Sequence, residues 1–223
     1  VFMPYDIARD IYYSKATDIR NDPETYFDEI LPEFQKYVLT RVTLFGAEST
    51  GKTTLSRDLA QHLNGHWFPE WARPYLENVK NEITDETMTA IYHGQMAQQR
   101  MAQTFTDKSF VFQDTDLFST VGYWDFWTGE TPDDLKRDAV WLKSDLYLIT
   151  QSTIPFEQDP LRYGGDKRES QDQFWIDLCE HYGLNYRVIQ SNDRIGRVDE
   201  AVGYVLECFN SKVNLRYERE ANG

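Results

Sequence analysis

The run Gly46-Ala47-Glu48-Ser49-Thr50-Gly51-Lys52-Thr53 constrains this chain more than any other feature. It fits G-x-x-x-x-G-K-[ST] at all four fixed positions, between an apolar run, Leu39 to Phe45, and a segment of helical periodicity. Such a loop works through its backbone. Gly46 and Gly51 give the chain the freedom to curl, so that successive N–H groups point inward at phosphate oxygens, and the helix behind adds its positive N-terminal end. Lys52 is expected on the β- and γ-phosphates and Thr53 on Mg²⁺, with Glu48, Ser49, Thr50 and Thr54 completing the nucleotide contacts. The motif specifies a nucleotide and leaves the reaction open.

A loop of this kind needs a parallel sheet, and the rest of the chain supplies the pattern for one. From Leu39 onward strand-like and helix-like segments alternate. Expected strands are Leu39 to Phe45, His66 to Phe68, Ser109 to Phe112, Asp145 to Thr150 and Tyr186 to Ile189. Expected helices run from Gly51 to Asn64-Gly65, then over Ala72 to Lys80, Asp85 to Phe105, Leu117 to Trp127, Asp134 to Lys143, Ser170 to Tyr182 and Val198 to Phe209. The fold expected is α/β, a P-loop kinase-like three-layer sandwich with a five-stranded parallel sheet and a lid. A length of 223 residues suits one such domain, residues 39–223, plus a small helical appendage, residues 1–38, with a helix start at Asn21-Asp22-Pro23.

The chain carries 23 basic against 37 acidic residues, a formal charge of −14, which repels nucleic acid and anionic membranes as bulk partners. Any anion must be held by a local site. Cys179 and Cys208 lie among apolar neighbours and read as core fillers without metal or redox spacing. No signal peptide or membrane-length apolar run is present, so a cytoplasmic location is expected.

In an open parallel sheet, ligands sit beyond the carboxyl ends of the strands. Glu70 follows the second strand, and Asp114 and Asp116 follow the third. Asp114 suits the metal, whereas Glu70 and Asp116 are candidates to hold the substrate, one of them as base. The plainer alternatives are a helix cap for Asp114, a first-turn helix acid for Asp116 and an ion pair with Arg73 for Glu70. Trp71, Tyr75, Tyr123, Trp124, Phe126 and Trp127 cluster just after the second and third strands, near these carboxylates, and two of them are candidates to enclose a flat ring, as against ordinary core packing. After the fourth strand, Pro155 to Arg168 carries hinge glycines and three basic residues. It reads as a lid that brings Arg162 or Arg168 onto the phosphoryl group of ATP.

Taken in order, these features resemble the NadR-type nicotinamide riboside kinases. The likeness covers about Leu39 to Leu206 and rests on the phosphate loop, on Glu70-Trp71-Ala72-Arg73-Pro74-Tyr75, on Asp114-Thr115-Asp116, on Asp159-Pro160-Leu161-Arg162 and on Arg197 before the last helix. It implies transfer of the ATP γ-phosphate to the 5′-hydroxyl of nicotinamide riboside with Mg²⁺, with Lys52, Asp114, Glu70 and Arg162 catalytic. Arg162, Arg168 and Arg197 would meet the nucleotide, and Glu70, Trp71, Arg73, Tyr75, Asp116, Tyr123 and Trp127 the acceptor. Pro69 departs from the family, which often has an aromatic residue there. Lys15 to Arg20 resembles the end of the adenylyltransferase domain that precedes such kinases. No H-x-G-H motif accompanies it, and no adenylyltransferase activity is expected. Another nucleoside or nucleotide kinase and a non-catalytic ATP sensor are the other readings.

Overall fold

A computed structural model describes residues 14–80, 82–104, 107–157 and 168–221, without the side chains of residues 168–170 and 214–221. Five strands, β1 (Thr40–Gly46), β2 (His66–Phe68), β3 (Phe110–Asp114), β4 (Leu146–Thr150) and β5 (Tyr186–Ile189), form one sheet. Its order is β2-β3-β1-β4-β5, with every pairing parallel. The chain leaves β1 for the strands on one side and then crosses to the other. The ligand crevice of such a sheet opens where the direction of winding reverses, beside the carboxyl end of β1.

The strands read as continuous apolar runs because both faces are covered. On one face Val42 and Leu44 of β1, Phe110 and Phe112 of β3, and Leu146 and Leu148 of β4 meet two helices, α3 (Lys52–His62) and α9 (Arg194–Ala221). On the other, Phe45, Tyr147 and Ile149 meet α5 (Asp85–Thr104), α6 (Leu117–Thr128), α7 (Asp133–Leu142) and α8 (Arg168–His181). Cys179 is buried there, and both cysteines are free thiols.

The strands lie within a residue or two of their expected positions, and the helices that frame the crevice, α3 and α4 (Ala72–Asn78) through α6, are also where the periodicity puts them. The differences fall at the two ends of the described chain. α1 (Ala16–Asn21) precedes Asn21-Asp22-Pro23, which is therefore a helix stop. Asp22 accepts from the Thr25 N–H at 3.2 Å, closing a local turn, and after a single 3₁₀ turn over Phe27–Glu29 the next α-helix, α2 (Pro32–Val38), starts on Pro32. At the other end α9 begins earlier and runs later than the 198–209 expected from its apolar face.

Candidate active site

The phosphate loop is closed by two contacts that tolerate no side chain. At Gly46, with φ at +141°, an added Cβ would lie 2.3 Å from the Thr150 carbonyl oxygen, so β1 and β4 meet only because this residue is glycine. Gly51, at φ +84°, has its open side filled by the Arg197 guanidinium, 3.0 Å from where a Cβ would stand. Inside the loop the Thr50 hydroxyl donates to the Ala47 carbonyl at 2.8 Å and lies 2.7 Å from the Thr150 hydroxyl. Lys52 folds back across the loop, its Nζ donating to the carbonyls of Gly46 and Ala47 at 2.9 and 2.8 Å. An arriving phosphate anion competes for that ammonium.

Below the loop, β3 delivers Asp114. Only 2% of it is exposed, the Thr53 hydroxyl donates to its Oδ2, and its Oδ1 is buried without a hydrogen-bond partner among the described residues. An orphaned carboxylate oxygen beside a threonine hydroxyl is the donor set that a hard cation with its waters takes up. Among the described residues no group of three or more His, Cys, Asp or Glu is placed to hold a metal, so phosphate oxygens would have to complete the coordination. Thr115, next in the chain, has φ of +76°, an outlier for a β-branched residue of the kind that collects at binding sites.

A cavity of about 270 Å³ extends from the loop into the space between α4, α5 and α6. Glu48 to Thr54 form its nucleotide end, and Ile154, Pro155 and Glu157 cover one side. The Glu157 N–H donates to the Ser49 hydroxyl at 2.8 Å, which ties the segment after β4 to the phosphate loop. The far end is lined by Glu70, Arg73, Met88, Ile91, Gln95, Ser119, Thr120, Tyr123 and Trp127.

Glu70 is hemmed in by protein yet opens on this cavity. Burial pushes its carboxyl up to about 7, and the negative charges of Asp114 and Glu48 add to that while Lys52 and Arg73 oppose it. A carboxylate that titrates near neutrality, between the phosphate loop and the open end of the cavity, is suited to accept a proton. Arg73 also lies 3.8 Å from Glu77, one helical turn on.

Asp116, expected to touch substrate, lies beneath the cavity wall. It is fully buried and caps α6, accepting from the Phe118 and Ser119 N–H groups at 2.9 and 3.3 Å and from the Tyr147 hydroxyl at 2.8 Å. Desolvation raises its carboxyl to about 6 against the pull of those bonds. Trp71 and Tyr75 are also absent from the lining. They stack on each other at 5.6 Å, and Trp71 lies on Gly94 of α5, where a Cβ would be 2.3 Å from its indole. Both rings pack against the core on this side of the sheet. Tyr123 and Trp127 do line the cavity, Tyr123 held edge-on to Trp175 at 5.4 Å.

Arg197 is 6% exposed, and its Nε and Nη2 have no hydrogen-bond partner among the described residues. It stands behind Gly51 rather than on the cavity wall. Arg162 and the side chain of Arg168, the expected lid cations, lie outside the described residues. Gln95, Ser119 and Thr120 line the site without having been singled out in the sequence. For Gln95 a signal existed: it occupies a buried position in the α5 stripe that includes Met88 and Ile91, where periodicity calls for an apolar residue.

A family model for an AAA domain matches residues 41–197. Among curated proteins, the chain is 24% identical over 213 residues to the trifunctional NAD biosynthesis/regulator protein NadR of Escherichia coli K12, and 23% identical over 212 residues to that of Salmonella typhimurium LT2. Each alignment covers 92% of this chain and 51% of the relative, so the chain spans about half the length of the curated relatives it matches. Among solved structures, a NadR protein in complex with NR superposes with a TM-score of 0.69 at 24% identity, covering 87% of this chain and 57% of that one. A NadR protein in complex with NAD and AMP-PNP gives 0.67 at 23%, covering 90% and 58%. Thymidylate kinase from Ehrlichia chaffeensis gives 0.53 at 14%, covering 75% and 97%. The architecture shared with these structures is α/β with a parallel sheet, as the alternating pattern implied.

Proposed function

The chain belongs to the AAA domain family, and from that premise we propose that it is an ATP-dependent kinase that phosphorylates the 5′-hydroxyl of nicotinamide riboside to give nicotinamide mononucleotide. The observation that carries this reading is the cavity itself, in which a phosphate loop at one end faces Glu70, Tyr123 and Trp127 at the other. The likeness to NadR proteins, one of them in complex with NR and another with AMP-PNP, supports the choice of acceptor and donor.

The loop N–H groups and Lys52 hold the β- and γ-phosphates, and Lys52 exchanges its two carbonyl contacts for phosphate oxygens. Thr53 and Asp114 are the residues that would hold Mg²⁺, which when bound draws negative charge off the transferring phosphoryl group. Glu70 accepts the proton of the 5′-hydroxyl as its oxygen forms the new bond to the γ-phosphorus and the bond to the ADP oxygen breaks. Tyr123 and Trp127 present ring faces and edges to the acceptor, and a pyridinium ring gains about 0.5–2 kcal/mol against an aromatic face. The segment from Ile154 to Glu157 keeps water from the phosphoryl group.

The test is ADP release from ATP and Mg²⁺ with nicotinamide riboside, then with adenosine, cytidine, uridine and thymidine, and the phosphorylated product identified by mass. Preferential turnover of nicotinamide riboside is expected. Preference for an ordinary nucleoside would reassign the acceptor, and ATP binding without stimulated turnover would make the protein a sensor.

A further inference from the structure

We infer that Gln95 reads the exocyclic amide of the acceptor's ring and sets a preference for a carboxamide over a carboxylate at that position. This rests on the reading of the acceptor as nicotinamide riboside. Gln95 lines the cavity and is 2% exposed, on the same face of α5 as Met88 and Ile91, which surround it with apolar wall.

The orientation of its amide is fixed by a relay. Gln98 donates through Nε2 to the Pro69 carbonyl at 2.9 Å, so its own oxygen is left to accept, and Gln95 Nε2 donates to that oxygen at 3.3 Å. A carbonyl accepts only, so the relay cannot be flipped without setting two acceptors against each other. Gln95 is therefore left with its carbonyl oxygen as the end that has no partner among the described residues. An oriented acceptor on a cavity wall beside Met88 and Ile91 gains when a ligand brings a donor to it. The N–H₂ of a carboxamide supplies one, whereas a carboxylate places negative oxygen against oxygen. The relay also joins the amide reader to the backbone just before Glu70, so recognition and the proton acceptor share one support.

The experiment compares kcat/KM for nicotinamide riboside and for its carboxylate analogue, nicotinic acid riboside, in the wild type and in Gln95→Met. The ratio between two acceptors on one preparation is unaffected by any fraction that fails to fold. The wild type should favour the carboxamide. Gln95→Met, which removes the acceptor, should shrink the ratio by about tenfold or more. A wild type with no preference, or a Met variant that keeps the ratio, would overturn the role of Gln95. Turnover of neither acceptor by the wild type would instead overturn the proposed function.

Discussion

At its nucleotide end the cavity is made by one unbroken loop, whereas its acceptor end is assembled from side chains on α4, α5 and α6. The first works through backbone geometry, so its residues are neighbours in sequence and two glycines and a lysine announce it. The second depends on which of several similar side chains wins a place on the wall, and that is settled by distant partners. Asp114 and Asp116 show the difference at closest range. Two residues apart, one keeps a carboxylate oxygen unsatisfied beside the phosphate loop while the other spends both oxygens holding α6 and Tyr147 in place.

The sharpest way to break this comparison is to truncate both acids. Asp114→Ala, like Lys52→Ala, should lower kcat by about 10²–10³-fold or more while the protein unfolds at the wild-type urea concentration, because the lost group acts on charge in the transition state. Asp116→Ala should cost about 2–4 kcal/mol of stability through the lost cap and the stranded Tyr147 hydroxyl, with activity per folded molecule near wild type. A stable, inactive Asp116→Ala protein would return Asp116 to the substrate site. The two tryptophans repeat the contrast at smaller scale. Trp127→Ala should raise the acceptor KM by about 3–10-fold, whereas Trp71→Ala should lower stability and leave that KM unchanged.

The smallest effect concerns pH. If Glu70 must be ionised to accept the proton, kcat/KM rises with pH through a midpoint near its carboxyl, at about 7. Glu48→Gln removes a charge that raises this value, so the midpoint should move to lower pH by a fraction of a unit. Stability has the opposite slope. The folded chain holds a proton on Glu70 that the unfolded chain releases near 4.5, so stability falls as pH rises from there through about 7. Glu70→Gln should flatten that fall in urea titrations of the ligand-free protein, and an unchanged slope would show that Glu70 titrates normally.

The sheet, its five strands and the phosphate loop were legible because each rests on local pattern: continuous apolar runs, breaker residues such as Asn64-Gly65, and glycines at fixed spacing. That Glu70, Tyr123 and Trp127 would reach the cavity and Asp114 the phosphate loop was legible from their position at strand ends or on the next helix. Trp71 and Asp116 were not, since their roles depend on Gly94 and on Tyr147, residues that only the folded chain brings near. Gln95 left a trace, a polar residue at an apolar position of the α5 stripe that carries Met88 and Ile91, but only the folded chain shows that stripe facing a cavity.

The register of β1 also bears on how long the nucleotide site takes to exist during synthesis. The strand that carries the phosphate loop gains its second neighbour only when β4 is available, Arg41 pairing through its N–H with Asp145, 104 residues later. At translation rates of about 5–20 residues per second, that is a wait of roughly 5–20 s in which an apolar central strand lacks one flank. Until Thr150 arrives against Gly46 the loop has no floor. Nucleotide capture by a nascent chain therefore marks the closing of β4 onto β1, and a synthesis arrested before residue 146 should yield a chain with the whole motif and no affinity for ATP.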